Sequence, residues 1–200
     1  MRESEIKNII EALLFSSPEP LTQKKIDIVF YPESPKLEKY VSMLNQSYLD
    51  GNHSFEIREV SHGVQLVSLR KYEPFIRRML HKSGKLSLSP AALDCLAIIS
   101  YKQPIGRHEL EAIRGVDSSG VIKTLLSRSL IRIKGRDLGP GRPLLYQTTD
   151  SFLEYFGLKS MSDLPKLKEI TELIESDPSL GEQIAVFEKE QYEDTLNNEK

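Results

Sequence analysis

SPAALDCLAIISYKQPIGRHELEAIRGVDSSGVIKTLLSRSLI, residues 89–131, decides how this chain folds. Ser89 is placed to cap a helix, and Pro90 stands at the first helical position, where its missing N–H costs nothing. Ala91, Ala92, Leu93, Cys95, Leu96, Ala97, Ile98 and Ile99 follow almost without interruption. A helix apolar nearly all round is a buried one, so this is the central helix of its module. Pro104 ends it, because the residue before a proline is pushed out of helical space. A short second helix carries Leu110 and Ile113 on one face and stops at Gly115. Asp117 or Ser118 caps a third, with the stripe Val121, Ile122, Leu125 and Leu126.

Outward from there, RIKGRDLGPGRPLLYQTT (132–149) reads as a hairpin. Ile131 and Ile133 alternate with Arg132 and Lys134 at the period of a strand. Gly135, Gly139, Pro140, Gly141 and Pro143 form the tip, and Leu144, Leu145 and Tyr146 return as the second strand. Phe152, Tyr155 and Phe156 make one more helical turn against the module. Three helices and a hairpin, in that order, predict a winged helix-turn-helix.

The first half repeats the order. Ile6, Ile9, Ile10, Leu13 and Leu14 make an amphipathic helix that Pro18 and Pro20 end. Thr22 caps a second helix with Ile26, Val29 and Phe30, and Leu37, Tyr40, Val41, Leu44 and Tyr48 define a third. Phe55, Ile57 and Val60, then Val64 to Leu69, are two strands around Ser61, His62 and Gly63. Pro20-Leu21-Thr22 with Ile26 echoes Pro104-Ile105-Gly106 with Leu110 at a constant offset of 84, so a duplicated module is expected. The fold class is mostly α with small β-hairpins (α+β), as two tandem winged-helix domains. They are expected at 1–83 and 84–165, divided in KSGKLSLS (82–89), with Tyr72 to His81 a linking helix. An acidic, largely disordered tail, 166–200, follows, in which Leu167, Ile170, Leu173 and Ile174 allow one more helix.

Composition narrows the function. Hydrophobic content of 39% and charged content of 28% describe an ordinary globular chain. No apolar run approaches a membrane span, and MRESEIKNII is charged where a signal peptide would be apolar, so a cytoplasmic address is expected. Cys95 has no second cysteine and sits in the most apolar helix, which makes it a small core residue. His53, His62, His81 and His108 are scattered, with no metal-ligand spacing. GPGRP lacks the Gly-Lys-Ser/Thr ending of a phosphate loop, and Glu109 and Glu111 point to different faces of a short helix. No catalytic, metal or cofactor site is expected. Residues 1–83 carry net charge +1, 84–165 carry +3, and 166–200 carry −6, from 4 Lys+Arg against 10 Asp+Glu. A mildly basic second half is thin for a tight DNA reader.

YKQPIGRHELEAIRGVDSSGVIKTLL and GRDLGPGRPLLYQTTDSFLEYFGLKSMSDLP strongly resemble the bacterial segregation and condensation protein B (ScpB) family, densely in the second half and more loosely in the first. One departure is Gly106, where the family usually has a Thr or Ser to cap the second helix. The resemblance implies a non-catalytic homodimer joined largely through the first winged-helix domain. It implies binding to the kleisin ScpA and, through it, to the SMC ATPase, on the nucleoid, for chromosome condensation and partition. DNA contact would be indirect or weak, with no membrane and no small-molecule substrate. The competing reading is a winged-helix transcriptional regulator that reads DNA with Ser118–Ser129, aided by Lys123, Arg128, Lys134, Arg136 and Arg142.

Candidate contact residues follow from side-chain type. Arg142 and Pro143 in the rigid hairpin tip, Tyr146 on the second strand and Arg114 before Gly115 are candidates for partner docking. The last of these also suits a helix C-terminus for purely structural reasons. Ile6, Ile10 and Leu13 are candidates for dimerisation, against the plainer reading that they fill their own core.

Overall fold

The computed structural model describes residues 1–80 and 88–166. Helices α1 (Glu3–Ser16), α2 (Gln23–Val29) and α3 (Leu37–Asp50) precede a hairpin of β1 (Phe55–Val60) and β2 (Gly63–Ser68). A 3₁₀ turn (Arg70–Tyr72) leads into α4 (Glu73–Leu80). The order then recurs: α5 (Pro90–Lys102), β3 (Ile105–Gly106), α6 (Arg107–Arg114), α7 (Ser119–Ser127), β4 (Ile131–Arg136), β5 (Leu144–Thr148) and α8 (Asp150–Phe156). Of the expected boundary KSGKLSLS, only Leu88 and Ser89 are among the described residues. His81 lies outside them, as does the tail with Leu167, Ile170, Leu173 and Ile174.

Each half closes its own core. In the first, Ile10 and Leu14 of α1, Ile26 of α2, and Leu37, Tyr40, Leu44 and Tyr48 of α3 pack on Ile57 and Val64 of the hairpin. In the second, Cys95, Leu96 and Ile99 of α5 meet Leu110, Ile122, Leu125, Ile131, Tyr146, Phe152 and Leu153. Leu88 already belongs to this second core. The Ser89 hydroxyl accepts from the Ala92 N–H at 3.3 Å, and Thr22 and Thr149 cap α2 and α8 in the same way. Gly115 takes the left-handed conformation (φ +74) that ends α6. At the start of α7 the N-cap residue is Ser118, fully buried and making no side-chain cap, while the carboxylate of Asp117 before it accepts from Ser119 N at 3.3 Å and Ser119 Oγ at 2.7 Å.

The halves also match in a detail at two positions related by the offset of 84. Leu21 N donates to Val64 O at 2.8 Å, and Val64 N to Leu21 O at 3.0 Å, so one residue adds a third rung to the first hairpin. Ile105, 84 positions later, pairs with Tyr146 in the same role, giving the sheet order β3-β5-β4. Gly63 permits the first approach, since a Cβ there would stand 3.0 Å from Leu21 O and from Pro20 Cβ.

Several short elements bury less than their sequence predicts. In α2 only Ile26 is buried, with Val29 exposed; in α6 Leu110 is buried and Ile113 exposed. On β4 only Ile131 is buried; Ile133, in continuous register opposite Tyr146, is half in water, and the register shifts only after it. Helix α8 buries Phe152 and Leu153, not Tyr155 and Phe156.

Candidate interaction surfaces

The sequence-predicted contact residues do not gather at one place. Ile10 is 0% exposed, inside the first core, and offers no surface to a second copy; Ile6 and Leu13 pack partly buried beside it. Tyr146 is buried in the second core, on the strand between β3 and β4. Arg114 is largely enclosed: Nη1 donates to Ser118 Oγ at 2.8 Å, and Nη2 lies 3.9 Å from Asp94 of α5. It ties the end of α6 to the buried Ser118 and to α5. Ile10, Tyr146 and Arg114 are thus engaged within their own modules. Burial is also the main cause that pushes the Cys95 thiol up, which keeps it protonated and inert.

The hairpin tip is different. Gly141 (φ +76) and Arg142 (φ +43) turn the chain, and Asp137 N donates to Pro143 O at 2.9 Å. Gly139 N donates to Asp137 Oδ1 at 2.7 Å, and Arg136 Nη1 to Arg142 O at 3.1 Å. The backbone is pinned while the Arg142 side chain stays exposed. Leu138 beside it is 96% exposed, the most exposed large apolar side chain of the described residues, and side-chain type alone did not mark it out. The same holds in the first half for Phe15 at the end of α1, Ile28 in α2 and Tyr31 after it, all more than three-quarters exposed.

The outward faces of the third helices spend several of their polar groups on bonds within their own helices. On α7 the Thr124 and Ser127 hydroxyls donate to carbonyls of their own helix, leaving Lys123 as the cation at its centre. On α3 the exposed face carries Glu38 and Asp50, and Ser42 and Gln46 bond to those same residues.

The two halves meet through main-chain bonds. Ser61 (φ +48) and His62 (φ +60) form the tight turn of the first hairpin. Their N–H groups donate to Leu158 O at 2.8 Å and Lys159 O at 2.9 Å, just past α8. Ser61 Oγ donates to Asp150 O at 3.2 Å, and Lys159 Nζ stands 2.7 Å from Glu59. Beside this junction lies an open groove of about 300 Å³, lined by His62, Gln103, Arg132, Lys134, Asp150 and Met161 among others. Gln103, at the end of α5, shapes one wall: its Oε1 accepts from both Thr148 N (2.8 Å) and Thr148 Oγ1 (2.9 Å). Among the described residues no group of His, Cys, Asp and Glu could hold a metal ion, and no helix is long and apolar enough to cross a membrane.

Two tandem modules, the first hairpin bridged by Leu21 alone and the second flanked by the short strand β3, make this a double winged-helix protein. The chain belongs to the family described as segregation and condensation complex subunit ScpB, whose profile matches residues 8–167. It is 44% identical to the segregation and condensation protein B of Syntrophotalea carbinolica over 176 residues, 88% of this chain and 89% of that protein. It is 44% identical to that of Desulforamulus reducens over 163 residues, 82% of this chain and 90% of the other. Among solved structures, ScpB from Mycobacterium tuberculosis is similar at 28% identity and a TM-score of 0.37, over 79% of this chain and 98% of that one.

Proposed function

We propose that this chain is a non-catalytic accessory subunit of a bacterial SMC–ScpA–ScpB complex. It forms a homodimer, binds the kleisin ScpA, and through ScpA meets the SMC ATPase on the nucleoid, serving chromosome condensation and partition. The family match across residues 8–167, which runs through both modules and their junction, carries this reading. The outward faces of α3 and α7 speak for protein partners over direct base reading. Residues 1–83 serve as the dimerising domain and 84–165 as the docking domain. Phe15, Ile28 and Tyr31, with Ile6 and Leu13 at the margin, supply apolar surface for a second copy, and Arg142 with Pro143 and Leu138 supplies the docking tip.

A pulldown of the full chain from extract of its own host, analysed by mass spectrometry, is expected to bring down a kleisin and an SMC protein. Sedimentation equilibrium of the full chain at tens of micromolar is expected to give a dimer (about the range for an interface of standard size). A monomer at that concentration removes the homodimer from the reading. Capture of duplex DNA without a kleisin, with affinity falling steeply in salt, favours the transcriptional regulator instead.

A further inference from the structure

No described side chain of helix α4 belongs to either core, as a buried member or as a partly buried neighbour. Its principal neighbour among the described elements is the 3₁₀ turn that leads into it. Yet Tyr72, Phe75, Ile76 and Met79 follow i, i+3, i+4, i+7, which draws one apolar stripe from that turn along the helix. Tyr72 and Ile76 are half-buried, while Phe75 is 66% and Met79 71% exposed.

The helix does not need this stripe in order to form. Pro74 stands in its first turn, and Glu73 forms an ion pair with Arg77 one turn on. Arg77 and Arg78 suit the negative end of the helix dipole. The turn before it is tied to the first hairpin: Leu69 N donates to Ser54 O at 2.9 Å, and Tyr72 N donates to Leu69 O at 3.0 Å. A fixed base and local stabilisation thus hold an apolar face toward water.

Charge decides what fits that face. Lys71 Nζ lies 5.0 Å from the centre of the Tyr72 ring, and the Arg78 guanidinium 5.6 Å from that of Phe75, so cations border the stripe itself. Among the described residues neither cation forms an ion pair with a carboxylate. Residues 70–80 hold Arg70, Lys71, Arg77 and Arg78 against Glu73 alone. A second copy would bring the same cations to the same stripe, because a two-fold contact matches a patch with itself, and like charges at that spacing repel. A helix with apolar residues at the same spacing and carboxylates beside them complements both features.

We propose that α4 is a docking face for an acidic amphipathic helix of a protein partner. Phe75 and Met79 are its apolar anchors, and Lys71 and Arg78 pair with the partner's carboxylates. This face stands on the link between the two modules and is a different element from the tip of the second hairpin.

The test uses the full-length chain and a fluorescent peptide of about 16 residues, long enough to be helical. It carries Leu at the i, i+3, i+4, i+7 spacing and Glu on either side. Anisotropy is expected to show binding, and a twin with Lys in place of Glu is expected to bind at least about ten-fold more weakly. Phe75→Ser with Met79→Ser should weaken the acidic peptide about ten-fold or more. The thermal midpoint should stay unchanged, because neither side chain belongs to a core. Lys71→Glu with Arg78→Glu should reverse the preference, taking the lysine peptide over the glutamate one. Arg142→Ala should bind the acidic peptide as the parent chain does; loss there moves the contact to the hairpin tip and overturns the proposal. It is also overturned if neither peptide binds, if both bind alike, or if charge reversal does not exchange them. Conversion of a dimer to a monomer by Phe75→Ser with Met79→Ser gives the face to a second copy instead. Binding to vesicles of phosphatidylglycerol and phosphatidylcholine that the same double variant abolishes gives it to a membrane surface.

Discussion

Tyr48 crosses from α3 toward α1 and donates its hydroxyl to Glu11 Oε1 at 2.9 Å. Burial is the largest cause holding its phenol well above the ordinary tyrosine value, followed by the hydrogen bond to Glu11 and that carboxylate's charge. A group whose pKa is raised on folding contributes stability that is fully present below its unfolded pKa, about 10, and is lost as pH rises through the folded value. The thermal midpoint is therefore expected to fall steeply above about pH 10. Tyr48→Phe should cost about 1 kcal/mol near neutrality and make that alkaline fall shallower. A midpoint equally steep in both proteins assigns the alkaline loss to other groups. Gly106 offers a gain. It caps α6 with no side-chain bond, at φ −86 and ψ 159, where any residue is comfortable, and a Cβ there meets nothing closer than 3.8 Å. Gly106→Ser should add roughly 0.5–1 kcal/mol, from a restored cap and a less mobile unfolded chain. Thermal melts of the two proteins check the sign. At this scale the sequence was readable where a residue acts on its neighbours, as Ser89, Thr22 and Gly115 do. It was silent on Asn45, whose amide bonds both Ile57 N (2.7 Å) and Ile57 O (2.9 Å), and on Gln103. Such amides find partners that only the fold brings near.

Among the elements, the long periodic helices α1, α3 and α5 were legible because several turns of repeated apolar residues define a face. The short ones were not: in α2, α6 and α8 a single turn fixes the buried side, and Val29, Ile113 and Phe156 fell outside it. The two-residue β3 is too short to carry a pattern, and the offset of 84 marked a repeated stretch there but not a strand. The hairpin tip separates the two kinds of candidate contact residue. Arg142 is pinned through its main chain, so Arg142→Ala should leave the thermal midpoint almost unchanged. It should still weaken kleisin binding by roughly 1–2 kcal/mol if the tip is the docking point. Arg114→Ala should do the reverse, costing about 1–3 kcal/mol of stability by freeing the buried Ser118 hydroxyl from its donor. Denaturation and binding titrations run on both variants distinguish them. A loss of affinity that tracks loss of stability in Arg142→Ala moves the docking surface off the tip.

For the whole molecule, the count of modules was legible from the repeated element order, but their mutual placement was not. Main-chain N–H and C=O groups make the principal junction, and these are common to every residue type. Three hydrogen bonds and one exposed ion pair join the Ser61–His62 turn and Glu59 to Asp150, Leu158 and Lys159. At about 0.5–1.5 kcal/mol per hydrogen bond, with the exposed ion pair screened by solvent and left out of the sum, the three bonds couple the modules by roughly 2–4 kcal/mol. That coupling is comparable to the effect of one strong mutation, so it is enough to make the halves unfold together and small enough to remove. Ser61→Ala deletes the bond to Asp150 O, and Lys159→Glu sets a like charge against Glu59. Neither touches a core side chain, and the turn keeps its two N–H donors. The double variant should retain each module's helical content while calorimetry resolves one transition into two. Small-angle scattering should show a larger radius of gyration. Protease should then cut preferentially at Lys82 or Lys85, ahead of Leu88, which the second core already holds. A single transition with unchanged scattering in the double variant assigns the coupling to the two main-chain bonds alone.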